Sequence, residues 1–175
     1  MAADSLIRSA PDSTLTIHKV ANLLGATKGS FYHHFETRAE LVLETQRLQD
    51  IATEQFMRRA DAVPDPANRL RFFVLDAFSS IPYLNAEGFL ISEELRDREV
   101  AKLGMQAGRA VDVWLWRLLV ATGAQPERAS PLLAMMRSCY DGIVLSRRHQ
   151  QRTWLVSELT EVAGVLADCV LAPAV

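Results

Sequence analysis

Apolar residues recur along nearly the whole of this chain three and four positions apart, a rhythm that restricts it to helices packed against helices. Ile17, Val20, Ala21 and Leu24 follow the spacing of one helix face. Leu70, Phe73, Val74 and Ala77 repeat it, as do Leu133, Met136, Tyr140, Ile143 and Val144. Leu155, Leu159, Val162, Leu166 and Val170 form a last stripe. No segment alternates apolar and polar residues between hairpin turns, as a half-buried strand would. The expected fold class is all-α.

The punctuation divides these stripes into elements. Thr16 stands where its hydroxyl can take an orphan amide of the first turn, and Gly25 closes that helix. Thr27 can cap a second helix running to about Phe35. Thr37 opens a third, with Glu40 three residues on in the capping-box arrangement. That helix carries Leu41, Leu48, Ile51 and Phe56 to about Asp61 and stops at the Val63-Pro64-Asp65-Pro66 break. Beyond it the pattern predicts helices over Ala67–Ser80, Tyr83–Arg96, Asp97–Thr122, Glu127–His149 and Thr153–Leu171. Pro82 stops the first of these; Gly123, with Pro126 behind it, ends the third. Residues 1–45 form a small helix-turn-helix head and residues 46–175 a larger helical body.

Several classes of function are disfavoured. The 175 residues, 49% hydrophobic and 23% charged, suffice for an ordered core. Cys139 and Cys169 lie far apart in apolar stretches without a Cys/His cluster, so buried thiols are expected rather than a metal site or disulfide. The longest apolar runs, such as Val111–Ala121, are broken by Asp112 and Arg117 and are short of the ~20 residues that span a bilayer. The first residues lack a signal-peptide layout. A cytoplasmic location, no membrane and no cofactor are expected. An enzyme on a helical bundle finds little support: there is no Ser/His/Asp arrangement, phosphate loop or Glu-x-x-His pair. The nearest carboxylate pair, Glu93-Glu94, diverges by about 100° on a helix.

The head holds the informative chemistry, although its charge is unremarkable in bulk. Arg8, Lys19, Lys28, Arg38 and Arg47 face Asp4, Asp12, Glu36, Glu40, Glu44 and Asp50 up to residue 50, and the whole chain carries a net −2. Charge placement matters more. On the second helix Phe31 and Phe35 can pin one side to a core, which leaves Lys28, Gly29, Ser30, Tyr32, His33 and His34 with no carboxylate until Glu36. Small residues at the start of a recognition helix let its backbone enter the major groove. Lys28 can donate to guanine acceptors or a phosphate, and Tyr32 and Arg38 to phosphates that set register. Three of the four histidines, His18, His33 and His34, fall in this short segment; their spacing suits a metal poorly. For His34, on the side nearer the aromatics, packing and phosphate contact both remain open.

These residues resemble the DNA-binding domain of the TetR family. The resemblance rests on Leu15-Thr16-Ile17-His18-Lys19-Val20-Ala21, on Gly25-Ala26-Thr27-Lys28-Gly29-Ser30-Phe31-Tyr32-His33-His34-Phe35, and on Thr37-Arg38-Ala39-Glu40-Leu41. It implies base-edge contacts from Lys28, Gly29, Ser30 and His33, helped by His18, and phosphate contacts from Thr16, Tyr32, His34 and Arg38. Thr27 would cap the recognition helix and present its amides to a phosphate. Only Ala2–Ala10 stands where family members carry a full first helix, so a shortened first helix is expected.

For the body, the resemblance implies a cavity for a small, largely apolar effector that relieves DNA binding. Phe73, Phe89, Met105, Trp116, Met136 and Tyr140 are candidate lining residues; Asp112 and Arg117, polar on an apolar helix, are candidates to orient the ligand. The stripes of the last two helices are wider than one intramolecular face needs, and Gly142 and Gly164 would permit close approach. The resemblance implies that these helices form a homodimer on a near-palindromic double-stranded operator. The function implied is that of a ligand-responsive transcriptional regulator, a repressor. The alternatives are a TetR-like sensor that has lost DNA binding and the helical-bundle enzyme.

Overall fold

The computed structural model describes residues 37–94, 98–149 and 154–172. These form α1 (Arg38–Asp61), α2 (Pro66–Ser79), α3 (Ile81–Glu94), α4 (Arg98–Ala121), α5 (Pro126–His149) and α6 (Val156–Leu171), and no strand occurs among them. The recognition segment and its candidate residues Thr16, His18, Thr27, Lys28, Gly29, Ser30, Tyr32, His33 and His34 lie outside the described residues, as does the side chain of Arg38.

The helix ends follow the chemistry of their caps. Thr37 is extended and its hydroxyl accepts from the amide of Glu40 at 3.2 Å, as the sequence predicts. Asp65 does the same for Asn68 at 2.8 Å, with Pro66 at the first helical position, where its missing N–H costs nothing. Only Ser80 separates α2 from α3, and Pro82 lies in the first turn of α3, so one proline both stops and starts a helix. Gly123 adopts φ +97° just beyond α4, a left-handed geometry that glycine reaches without strain. Pro131 lies inside α5, is exposed, and does not end the helix. At α6 the carboxylate of Glu158 accepts from the amide of Leu155 at 2.9 Å, which moves the start three residues past the expected Thr153.

One core holds the body. Leu70, Leu84, Leu119, Val144 and Leu159, from α2 through α6, are at most 1% exposed, and Phe56 and Ala60 of α1 join them. α2 lies along α6, α1 crosses α2 and α3, and α5 packs on α3 and α4. Arg59–Asp76 and Arg71–Asp168 ion pairs tie α2 to α1 and α6, and Trp114 donates from α4 to Asp61 at 3.2 Å. The last two helices barely touch one another within the chain; each is packed instead on an earlier helix. The expected head–body division at residues 45 and 46 falls inside α1, which runs unbroken across it.

Both cysteines are free and exposed, contrary to the expectation of buried thiols. The helical period explains it: Cys139 and Cys169 each adjoin a core residue, Tyr140 and Val170, and one step along a helix turns the side chain through about 100°.

Candidate functional site

The inward stripe of α1 begins and ends apolar and is polar in its middle. Val42 and Phe56 are buried at its ends, and between them Thr45 and Gln49 are 1% and 2% exposed, with Thr53 half-buried. Thr45 discharges its hydroxyl locally, donating to Leu41 O at 2.8 Å. Gln49 reaches further. Its amide nitrogen donates to Tyr83 O at 3.2 Å and to the Glu87 carboxylate at 2.8 Å, both on α3. Those two acceptors consume both amide hydrogens and fix the amide's orientation. Gln49 Oε1 is therefore held facing away from them, buried and with no hydrogen-bond partner among the described residues.

Tyr83 extends the same cluster. Thr53 donates its single proton to Gln49 O at 2.9 Å, so the 2.7 Å contact between Thr53 Oγ1 and the Tyr83 hydroxyl has the tyrosine as donor. The Tyr83 ring meets Phe56 edge-on at 4.8 Å. From α5, Tyr140 stacks edge-on against Phe78 at 5.3 Å, and its hydroxyl is buried without a partner. Burial, then the neighbouring Tyr83 and Glu87, hold that hydroxyl well above the usual tyrosine range. It is thus a neutral group that can both donate and accept. Three helices, α1, α3 and α5, converge here with two unused buried polar atoms, each of which is costly to leave unpaired.

The other sequence candidates are dispersed. Phe73 is buried and tilted against Trp114 at 4.9 Å. Phe89 and Met136 are buried, and Trp116 is half-buried against the core. Asp112 is half-buried and paired with Arg137, so its carboxylate is already occupied. Arg117 is exposed, and Met105 is 59% exposed, so neither walls the interior of a single chain. Glu93 is buried on α3, and the side chain of Glu94 lies outside the described residues. Among the described residues no three His, Cys, Asp or Glu are placed to hold a metal ion, and no helix is long and apolar enough to cross a membrane.

Sequence reading did not single out Gln49, Glu87 or Arg147. For Gln49 a signal was present: Thr45, Gln49 and Thr53 recur every four residues on the apolar stripe of α1, where polar groups need a reason to be.

The head is decided by comparison. Residues 2–45 match the family model of bacterial regulatory proteins of the tetR family. The matched segment corresponds to that family's helix-turn-helix DNA-binding head. No curated protein matches the chain. The match ends at residue 45, inside α1. One continuous helix therefore carries the end of the head at one extremity and the Gln49 cluster a turn further on.

Proposed function

We propose that this chain is a tetR-family regulator, a ligand-responsive repressor that binds a near-palindromic operator as a dimer and is released by a small molecule. The observation that carries the effector site is the pair of buried polar atoms without a partner among the described residues, Gln49 Oε1 on α1 and the Tyr140 hydroxyl on α5, both beside α3. A ligand that bonds to them gains what the free chain leaves unmade. It also presses on the helix that leaves the head. Phe73, Phe89, Met136, Trp116 and Tyr140 belong to this body; Met105 and Arg117 would serve only from its outer face.

On the DNA side, Lys28, Gly29, Ser30 and His33, with His18, read base edges. Thr16, Tyr32, His34 and Arg38 hold phosphates, and Thr27 caps the recognition helix. The dimer forms through α5 and α6. Ala134, Ser138 and Gly142 make an exposed stripe of small residues on α5, and a Cβ added at Gly142 or Gly164 would meet nothing within 4 Å. Cys139, Cys169, Met135 and Val165 are exposed on the same two helices, which suits surfaces covered by a second copy. Regulation is a population shift: the ligand prefers a body in which α1 has moved from groove spacing, and a coupling of about 1–3 kcal/mol is enough.

Footprinting on the DNA upstream of the protein's own gene tests the reading. The expected result is two symmetric protected half-sites, weakened by Lys28→Ala and by Tyr32→Phe. If both variants protect DNA as well as the parent at modest salt, the assigned face is wrong. No protection from a chain that still binds effector would favour the sensor that has lost DNA binding.

A further inference from the structure

A second unsatisfied group lies on the same stripe of α5. Tyr140 and Arg147 are seven residues apart, so they share a helix face two turns from one another, with buried Val144 between them. Among the described residues the Arg147 guanidinium has one partner: Nη2 donates to Asn85 Oδ1 on α3 at 3.2 Å. Its Nε and Nη1 are buried and have no hydrogen-bond partner. The acceptor it does meet is a neutral amide, and among the described residues no carboxylate is paired with it. Burial alone lowers its proton affinity, yet a guanidinium stays protonated in proteins. A partly buried cation with two unused donors calls for an anion.

We propose that Arg147, steadied by Asn85, binds the head group of the effector, which is an amphipathic organic oxyanion, a carboxylate or a phosphate ester. The inference rests on the effector site proposed above and names its chemistry. The guanidinium offers either head group charge-assisted N–H···O bonds from its unused donors. Asn85 sets the plane by holding Nη2. Apolar neighbours flank the cation on both helices: Val144 one turn back on α5, and Phe89 one turn on along α3, both buried. Gly88 faces Val144 at that crossing, where a Cβ would make an ordinary contact with Val144 Cγ1 at 3.4 Å. A charged head at Arg147 with an apolar stem over Val144 would bring the far end of the molecule to the Tyr140 hydroxyl, and so use both ends of the stripe.

The test uses the full chain and four matched compounds: 6-phenylhexanoate, 6-phenylhexyl phosphate, 6-phenylhexanol and 6-phenylhexylamine. Binding is read by thermal shift and by tryptophan fluorescence. At least one of the two anions should bind, and the tighter one identifies the head group. The alcohol and the amine should bind at least tenfold more weakly. Arg147→Met, which keeps an apolar stem, should weaken the anion about tenfold or more, the order expected for a lost charge-assisted hydrogen bond. Arg147→Lys should recover part of that loss, because it restores the charge without the fork. Equal binding of the alcohol, or unchanged anion binding by a folded Arg147→Met chain, overturns the proposal, as does failure of both anions to bind. Footprinting without compound reads DNA binding separately. Loss of repression with intact anion binding would fault the repressor reading, not the effector chemistry.

Discussion

The side-chain amide of Gln49 donates to the carboxylate of Glu87 at 2.8 Å, joining the helix that leaves the head to a helix of the body. A hydrogen bond to a charged group contributes about 1.5–3 kcal/mol. Gln49 is 2% exposed, so water does not readily replace the lost partner. Gln49→Ala should cost about 1–3 kcal/mol in urea unfolding. Glu87→Ala added to it should cost less than the sum of the two single changes, with an interaction energy of about 0.5–3 kcal/mol. Additive losses would show that the two side chains do not support one another.

Packing within α4 gives a second expectation. Leu119 is fully buried and Val113, on the same helix, is 50% exposed. Leu119→Ala should destabilise by about 2–5 kcal/mol through lost transfer energy and the cavity left behind. Val113→Ala should stay within about 0.5 kcal/mol. Denaturant midpoints of the two variants at one protein concentration decide it.

The same helices show how far a sequence can be read. Thr37, Gly123 and the Val63-Pro64-Asp65-Pro66 break were legible because caps and breakers act through local backbone geometry. The stripe of Leu70, Phe73, Val74 and Ala77 was legible because burial follows the helical period. The head was legible from a contiguous run of residues, and its family match bears that out. The polar cluster was not. Gln49 meets Glu87 across 38 positions and Arg147 meets Asn85 across 62, and no local pattern encodes which helices cross. The Asp112 carboxylate was singled out from one helix's own composition; its engagement by Arg137 belongs to the α4–α5 interface.

Asp141 gives a pH prediction. Burial, chiefly, and the nearby Asp112 raise its carboxyl above the ordinary value of 3.8, with Arg137 opposing. The folded chain therefore holds this proton to higher pH than the unfolded chain does. Its contribution favours folding in acid and declines as pH rises from 3.8 through the raised value. Asp141→Asn should match the parent below that window and exceed it in stability above, with the gap level by neutral pH. Urea midpoints from pH 3.5 to 7 should show it, and a gap that shrinks with rising pH would contradict the assignment.

Gly142 separates the monomer fold from the proposed dimer. A Cβ at this position meets nothing within the chain, and replacing a helical glycine gains up to about 1 kcal/mol of helix propensity. Gly142→Arg should therefore leave the monomer as stable as before or slightly more so. Across a close helix–helix contact, however, it places a bulky charge where a small residue was needed. Sedimentation at micromolar concentration should find the parent dimeric and the variant monomeric. The exposed thiol of Cys139, three residues away, should react slowly with a thiol reagent in the parent and rapidly in the variant. A parent that is monomeric, with Cys139 equally reactive in both chains, would remove α5 from the interface.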